Sequence, residues 1–336
     1  MGGRMRLLFI FTGGTIGSTL RGSVMSAAES KAYAIIEAYE KRYGISFDYD
    51  IDEPYAALSE NNTGLHIRTL CEAVRRGISR DYDGIIVTHG SDTLQYSAAA
   101  VGYTIGLDTP PVCLVAANAP IEDESSNALD NLRGAVRFIE DGLGRGAFVV
   151  YRNAAHGRVR VHRATRLIGG KAYSDDLSSA GKCIYGEFNE ELVFYKNPEY
   201  IDVPDGIAPF DPACLSDCNR DALMLFSYPG MGYPEIGESV GYIIFNTYHS
   251  GTLNTSSAEA LEFFAKARER GIPVYATGIS EGPQYSSAER FGELGIIPVA
   301  SLSPVAAYIK LWFAYSSGRS PLNVLSTPLC SDLLFL

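Results

Sequence analysis

The chain has 336 residues, 46% hydrophobic side chains and a formal net charge of −11, a length typical of about two globular domains. The negative balance argues against a nucleic acid or an anionic membrane surface as partner, and no run approaches the roughly 18 apolar residues of a membrane-spanning helix. A small-molecule partner is therefore expected.

The first predicted element is a buried strand that ends in a turn of small residues. Its apolar run, Leu7–Phe11, does not alternate with polar residues, which is typical of a parallel strand covered on both faces. The run opens into Thr12-Gly13-Gly14-Thr15-Ile16, where two glycines allow a tight turn and a close approach to a bound group. Ligands bind at this end of the strands in open α/β sheets.

A second stretch repeats this arrangement. The apolar run Gly84–Val87 opens into Thr88-His89-Gly90-Ser91-Asp92-Thr93, a string of hydroxyls with one carboxylate. A helix N-cap or an ordinary turn would explain either stretch alone. Because the carboxyl ends of parallel strands meet at one edge of a sheet, the two turns together predict one shared pocket.

Strands alternate with helices around these two stretches, which predicts right-handed crossovers and an α/β fold with a doubly wound parallel sheet. Helix starts are marked by capping boxes and helix ends by glycine. The predicted N-terminal elements are a loop over 18–24, a helix from Ser26 to Tyr43, a strand at Ile45–Ile51, a helix at Leu65–Ser79, a strand at Gly84–Thr88, a helix at Thr93–Gly106, a strand at Pro111–Ala116, a helix at Ser126–Asp141 and a strand at Ala147–Tyr151.

A second α/β unit is predicted after a proline-rich stretch. Residues 196–219 contain four prolines and no clear period, so we expect a larger N-terminal domain over 1–195, a linker over 196–219 and a smaller C-terminal domain over 220–336. The predicted elements of that domain are strands at Ala222–Phe226, Tyr242–Asn246 and Pro273–Thr277, a helix from a capping box at Ser256–Glu259 to Gly271, and helix starts at Ser286 and Ser303.

Targeting and redox features predict a cytoplasmic protein. The basic start Met1–Arg6 leads into an apolar run that is too short for a secretory signal. The six cysteines are scattered and form no Cys-x-x-Cys motif. Cys214 and Cys218 lack a second pair or nearby histidines, so we expect no zinc site and interpret the cysteines as reduced thiols.

The two turn motifs resemble the two signatures of the bacterial-type asparaginase family, amidohydrolases with a threonine nucleophile. Residues 12–16 match the first signature at every position, and residues 88–93 match the second with one Thr-to-Ser change at Ser91. The resemblance implies an enzyme that hydrolyses an amino-acid amide, with L-asparagine as the expected substrate. It also implies that the enzyme uses neither a metal nor an organic cofactor and forms a homodimer or homotetramer.

The resemblance assigns roles to individual residues. Thr15 is the expected nucleophile, whose hydroxyl attacks the side-chain amide carbonyl, releases ammonia and leaves an acyl-enzyme. Ser91 and Asp92 match a second hydroxyl and the carboxylate that assists it and holds the substrate ammonium. Ser59 and Glu60 match the pair that grips the α-carboxylate and the α-amino group.

Further positions follow from the same motifs. Gly14 and Gly90 are expected to bind substrate in the two turns, and His89 is expected to pack or orient its turn, because residues this close along one turn do not line up as a triad. The family has a lysine downstream of an arginine, and the best match here places Arg163 at that position, after Arg160. Arginine keeps the charge but does not relay a proton at working pH.

Other functions are left open by these departures. The loop over 18–25 lacks the tyrosine of typical members, so a different amide substrate or an inactive amino-acid-binding homologue is the alternative to asparagine hydrolysis. A dinucleotide-binding oxidoreductase would need glycine where Thr12 stands. The tRNA-dependent amidotransferase branch of the family has an N-terminal extension, whereas here the first signature starts almost at once.

Overall fold

The computed structural model describes residues 4–14, 19–21, 24–26, 32–44, 47–170, 173–279 and 285–334. It divides into two compact units, one of residues 1–217 with 327–332 and one of residues 218–326 with 333–336. Most of the segment expected as a linker therefore groups with the first unit. The reason is visible at Asp205, whose carboxylate accepts hydrogen bonds from the backbone N–H groups of Leu107 and Cys330.

The first unit contains an eight-stranded sheet and two small two-stranded sheets. Its strands are β1 (Arg6–Phe11), β2 (Thr19–Arg21), β3 (Val24–Ser26), β4 (Asp48–Asp52), β5 (Gly84–Thr88), β6 (Val112–Val115), β7 (Ala147–Arg152), β8 (Val159–Arg163), β9 (Leu167–Gly170), β10 (Leu177–Ser179), β11 (Gly186–Phe188) and β12 (Phe194–Lys196). Its helices are α1 (Ala32–Tyr43), α2 (Gly64–Ile78), α3 (Leu94–Ile105) and α4 (Ala128–Glu140).

The order of the large sheet is β12-β11-β8-β7-β6-β5-β1-β4. The strands from β4 to β7 run parallel, whereas β8, β11 and β12 continue the sheet in antiparallel fashion. The chain passes from β1 to β4 on one side and then to β5 on the other. The carboxyl ends of β1 and β5 therefore flank the topological switch point, where open α/β sheets bind ligands.

The parallel strands are buried on both faces, which confirms the predicted doubly wound class. Every residue from Leu7 to Phe11 is buried, and alternate side chains of this strand pack into a core with α1 and α4. On the opposite face α2 approaches closely, since a Cβ atom at Gly77 would lie 2.5 Å from the Leu8 side chain. Burial on both faces explains why β1 has no alternating pattern.

One local prediction in this unit needs correction, and another falls outside the described residues. The stretch predicted as a loop over 18–24 contributes to the antiparallel pair β2–β3, in which Thr19 faces Ser26. The sequence Gly22-Ser23 between these strands is a hairpin signal that the prediction overlooked. The helix is described from Ala32, and Glu29 of the predicted capping box lies outside the described residues.

The second unit is a smaller parallel α/β structure, as predicted. Its strands are β13 (Ala222–Phe226), β14 (Tyr242–Asn246), β15 (Val274–Thr277) and β16 (Ile296–Val299), in that order across the sheet. Its helices are α5 (Ala258–Glu269), α6 (Ser286–Glu289), α7 (Phe291–Leu294), α8 (Pro304–Ser317) and α9 (Pro321–Ser326).

Two helices of the second unit begin at serine N-caps, as predicted, although one cap lies one residue later than expected. The Ser303 hydroxyl accepts a hydrogen bond from Ala306 N at the start of α8. At α5 the cap is Ser257, which accepts from Ala260 N, one residue later than the predicted capping box. All six cysteines are free, and none of the described helices is long and apolar enough to cross a membrane.

Candidate active site

The turn after β1 is held by the chain segment that leads to Ser59. Gly13 and Ala57 form a parallel bridge, with Ala57 N donating to Thr12 O at 3.0 Å and Gly14 N donating to Ala57 O at 3.2 Å. Gly13 has φ +92°, and a Cβ atom there would lie 2.5 Å from Ala57 O. Only glycine fits this position, because of both its conformation and the close contact.

The two sequence motifs are in direct backbone contact. The buried Thr12 hydroxyl donates to the Thr88 carbonyl at 2.8 Å, which joins the ends of β1 and β5. Gly14 has φ +80°, and a Cβ atom there would lie 2.5 Å from Gly90 N. The two turns, 76 residues apart in the sequence, therefore meet in a glycine-to-glycine contact, while a pocket shared by both stays a prediction.

Ser59 brings a third segment to this edge. A Cβ atom on Gly90 would lie 2.5 Å from Ser59 Oγ, and the buried Ser59 hydroxyl donates a long hydrogen bond of 3.5 Å to Asp92 Oδ2. The Thr93 hydroxyl donates to Ser59 O at 2.9 Å. Glu60 follows in a short 3-10 turn and is exposed, as is Asp92. Two carboxylates are therefore free to meet a cation from solvent.

His89 is fully buried beneath the turn after β5. Its Nδ1 lies 2.7 Å from Gly90 O, and its Nε2 lies 3.3 Å from the Asn62 amide nitrogen. A carbonyl only accepts hydrogen bonds, so Nδ1 carries the proton and Nε2 accepts from Asn62. Burial lowers the pKa of His89 below its ordinary value. The His89 ring is therefore neutral, and its two hydrogen bonds orient the turn.

A cavity opens beside this edge. One wall is formed by Ser91 and Asp92, and the other by residues of the turn that joins β9 to β10, including Gly170 and Tyr173. Tyr173 is fully exposed at 109% and has φ +62°. Lys171 stands between these two wall residues in the sequence but lies outside the described residues.

The structure brings together most of the predicted site residues. Gly14, Ser59, Gly90, Ser91 and Asp92 lie at the carboxyl edge of β1 and β5, with Glu60 next to Ser59. Thr15, the predicted nucleophile, lies outside the described residues, and its neighbour Gly14 rests against Gly90. No group of three or more His, Cys, Asp or Glu side chains in the described ranges is arranged to hold a metal ion.

Arg163 lies elsewhere, so its assignment to the site needs correction. β8 runs antiparallel to β7 and pairs Arg163 with Phe148 near the start of that strand. The guanidinium is buried, and its Nη1 donates to Arg145 O at 2.8 Å, before β7 begins. It lines a cavity with Leu107, which precedes β6. These contacts belong to the amino-terminal edge of the parallel strands, opposite the edge that carries Asp92.

Comparison with known proteins identifies the family of this chain. A family model described as "Asparaginase, N-terminal" matches residues 6–197. The chain belongs to the asparaginase family. Within this family it is similar to an L-asparaginase of Thermococcus kodakarensis, at 27% identity over 251 residues that cover 71% of each chain.

Another relative carries a different name. It is a glutamyl-tRNA(Gln) amidotransferase component of Haloquadratum walsbyi, 28% identical over 344 residues, which cover 96% of this asparaginase-family chain and 74% of the relative. The solved L-asparaginase of Thermococcus kodakarensis superposes with a TM-score of 0.79 at 21% identity, covering 99% of this chain and 100% of the other. At that identity the likeness shows the shared fold.

Sequence reasoning missed Asn62, which contacts the second of the asparaginase-family motifs. Asn62 carries no local pattern that separates it from an ordinary loop residue, yet its amide also donates to the Thr93 hydroxyl at 3.2 Å. A lysine, Lys171, follows Arg166 in the sequence and lies outside the described residues.

Proposed function

We propose that this protein hydrolyses the side-chain amide of L-asparagine, with Thr15 as nucleophile. The observation that carries the proposal is the contact between the turns after β1 and β5, where a Cβ atom at Gly14 would come within 2.5 Å of Gly90. Thr15 is the next residue after Gly14 in the sequence. Both motifs therefore serve one reaction centre at the switch point of the sheet.

The reaction divides into two steps. The Thr15 hydroxyl attacks the amide carbon and forms the acyl bond, the C–N bond breaks, and the leaving nitrogen takes a proton to depart as ammonia. Water then cleaves the acyl bond, which restores the Thr15 hydroxyl and releases aspartate. Each proton removed from a hydroxyl or from water needs a nearby base.

We assign the ammonium of the substrate to Asp92. The Asp92 carboxylate is exposed, and the protein donor described on it is the Ser59 hydroxyl, at a long 3.5 Å. Such a carboxylate retains acceptor capacity for a substrate ammonium. Ser59, Glu60 and the Gly14 and Gly90 backbones complete the proposed substrate-binding set, and Ser91 is the second catalytic hydroxyl.

We further propose that Lys171, and not Arg163, provides the lysine ammonium implied by the family pattern. Gly170 and Tyr173, on either side of Lys171 in the sequence, share a cavity with Ser91 and Asp92. A lysine amine can accept and return a proton when its pKa is lowered, whereas an arginine remains charged. With Lys171 in this role, the chain has the lysine that the family pattern implies, and Arg163 does not have to replace it.

The decisive experiment measures ammonia release from L-asparagine, D-asparagine, L-glutamine and short β-aspartyl peptides. Thr15→Ala is expected to lower the rate by at least about 10³-fold, while Thr69→Ala, a change on the exposed side of α2, leaves it unchanged. Retention of more than a few per cent of the rate in Thr15→Ala would refute the nucleophile. Lys171→Met is expected to lower the rate strongly, with Lys266→Met on α5 as the matched control.

A second candidate function is the amidase component of a tRNA-dependent amidotransferase. It is favoured by the Haloquadratum walsbyi relative named for a glutamyl-tRNA(Gln) amidotransferase, which matches 96% of this chain. Thr15-dependent release of ammonia from glutamine but not from asparagine would favour this candidate. No release from any amide, with a rise in melting temperature on adding aspartate, would instead indicate an amino-acid-binding homologue.

Location and assembly are proposals of the same kind. We place the protein in the cytoplasm, where its six free cysteines stay reduced, and as a homodimer or homotetramer by family resemblance. Cell fractionation and a solution mass measurement test these two statements.

A further inference from the structure

The β9–β10 hairpin forms one wall of the cavity beside the candidate site. Its two strands pair antiparallel, and Gly170 and Tyr173 of the hairpin line the cavity together with Ser91 and Asp92 of the turn after β5. The distance between the hairpin and that turn therefore sets the width of the cavity.

The β10 end of the hairpin is anchored to the turn after β7. The buried Asn153 side chain donates from Nδ2 to Leu177 O at 2.8 Å and accepts from Leu177 N at 3.0 Å. Next to it, Asp176 Oδ1 accepts from Ala154 N at 2.7 Å. None of these three hydrogen bonds involves the turn after β5, so a direct link between the two walls of the cavity has to come from another residue.

Gln95, in the first turn of α3, provides such a link. Its Nε2 donates to Asp92 O at 3.1 Å. On the hairpin side, a Cβ atom at Gly169 would lie 2.7 Å from Gln95 Cδ, 2.8 Å from Oε1 and 3.0 Å from Nε2, so the Gly169 backbone packs on the whole amide group. Gly169 also has φ +85°, and glycine alone suits both the conformation and the close approach.

The partners of the Gln95 amide determine its orientation. A carbonyl oxygen only accepts hydrogen bonds, so the atom that faces Asp92 O is the nitrogen. The other amide atom, Oε1, is buried and accepts no hydrogen bond from any residue that the structure describes. A buried acceptor without a donor costs free energy and requires an explanation. Packing against Gly169 supplies one, because it prevents the amide from turning away.

We propose that Gln95 is a positioning residue, whose amide holds the β9–β10 hairpin at the distance from Ser91 and Asp92 that turnover requires. The inference rests on the proposed function, since the hairpin matters for turnover only if this cavity holds the reacting amide. Gln95 is not among the described residues that line the cavity, so it acts through its neighbours. A displacement near 1 Å costs about 10²-fold in rate, while Asp92 still binds the substrate ammonium. The loss is therefore expected in kcat rather than in KM.

Steady-state kinetics of ammonia release test this role. Gln95→Met keeps the length of the side chain and its packing on Gly169 but removes the donor to Asp92 O. This variant is expected to lower kcat at least tenfold, with KM changed less than threefold. Arg137→Met, at a 42% exposed side chain on α4, is the matched control and should leave both constants unchanged. An unchanged kcat in folded Gln95→Met would overturn the positioning role.

A double-mutant cycle with Gly169→Ala tests the contact without relying on turnover. In a Gln95→Ala background the three amide atoms that the new Cβ would meet are absent, and only the positive φ remains unfavourable. Hydrogen exchange over residues 173–179 measures opening of the hairpin. Gly169→Ala is expected to speed this exchange at least tenfold in the wild type but less than threefold in the Gln95→Ala background. Equal effects in both backgrounds would overturn the proposed link.

Failure of this proposal and failure of the proposed function give different results. A wild type that releases no ammonia from any amide would overturn both the proposed function and the role of Gln95 in turnover. Full activity in the wild type and in Gln95→Met would overturn only the role of Gln95. The exchange experiment reports on the contact between Gln95 and Gly169 in either case.

Discussion

Replacing Gly14 by alanine should damage the reaction centre more than the fold. Gly14 has φ +80°, and the added Cβ would lie 2.5 Å from Gly90 N, where ordinary contact begins at 3.4 Å. The turns after β1 and β5 would have to separate by about 0.9 Å. Because the position of a Cβ atom is fixed by its own backbone and Gly90 N is itself a backbone atom, no side-chain rotation relieves the contact.

The expected magnitudes follow from this displacement. A non-glycine residue in the left-handed region costs about 1–2 kcal/mol, and overpacking adds about 1–3 kcal/mol. A misplacement near 1 Å costs about 10²-fold in rate, so turnover of asparagine should fall about 100-fold in the folded variant.

Gly44→Ala is the matched control. Gly44 also has a positive φ, +65°, but a Cβ atom there meets nothing within 4 Å. The Gly44→Ala variant should lose only the stability cost of a non-glycine residue in the left-handed region, about 1–2 kcal/mol, and should keep wild-type turnover. Urea unfolding and ammonia release are measured on both variants. If Gly14→Ala matched Gly44→Ala in stability and stayed within threefold of the wild-type rate, the proposed contact between the two turns would be refuted.

Three further variants test the site and its surroundings. Asp92→Asn should lower kcat/KM for asparagine at least tenfold by weakening ammonium binding, with a stability change within about 0.5 kcal/mol because the side chain is exposed; an unchanged KM would contradict the role. Arg163→Met should lose about 2–4 kcal/mol in urea unfolding, because Arg145 O and the Tyr200 hydroxyl lose a buried partner, while turnover is retained; a collapse of kcat in folded protein would restore Arg163 to the mechanism. Burial, with a smaller effect of Arg160, lowers the pKa of His162 to about 3. Below about pH 6.5 the unfolded chain therefore binds a proton at this ring that the native ring does not bind, and the free energy of unfolding decreases as the pH is lowered. Between pH 7 and pH 5 the wild type should lose about 2 kcal/mol more than His162→Asn, and parallel pH profiles would show that His162 is not the cause.

The local patterns were sufficient for several buried strands, including β5, which leads into the candidate site. β5, β13 and β14 begin and end where their apolar runs do, because uninterrupted burial leaves a signal within a few residues. The antiparallel flank β8 to β12 was missed, since its strands are short, three to five residues, and several carry exposed or charged positions. Such segments take their conformation from the neighbouring strand rather than from their own pattern.

The motifs by themselves determined the family resemblance, which predicts that Gly14, Ser59, Gly90 and Asp92 belong to one site. Only the tertiary structure decided which residues lie near that site. Arg163 matched a charge in the sequence, but strand direction, which a single sequence does not record, places it at the opposite edge of the sheet. The contact between Gly14 and Gly90 likewise exists because β1 and β5 are neighbours, and that adjacency is a property of the folded sheet.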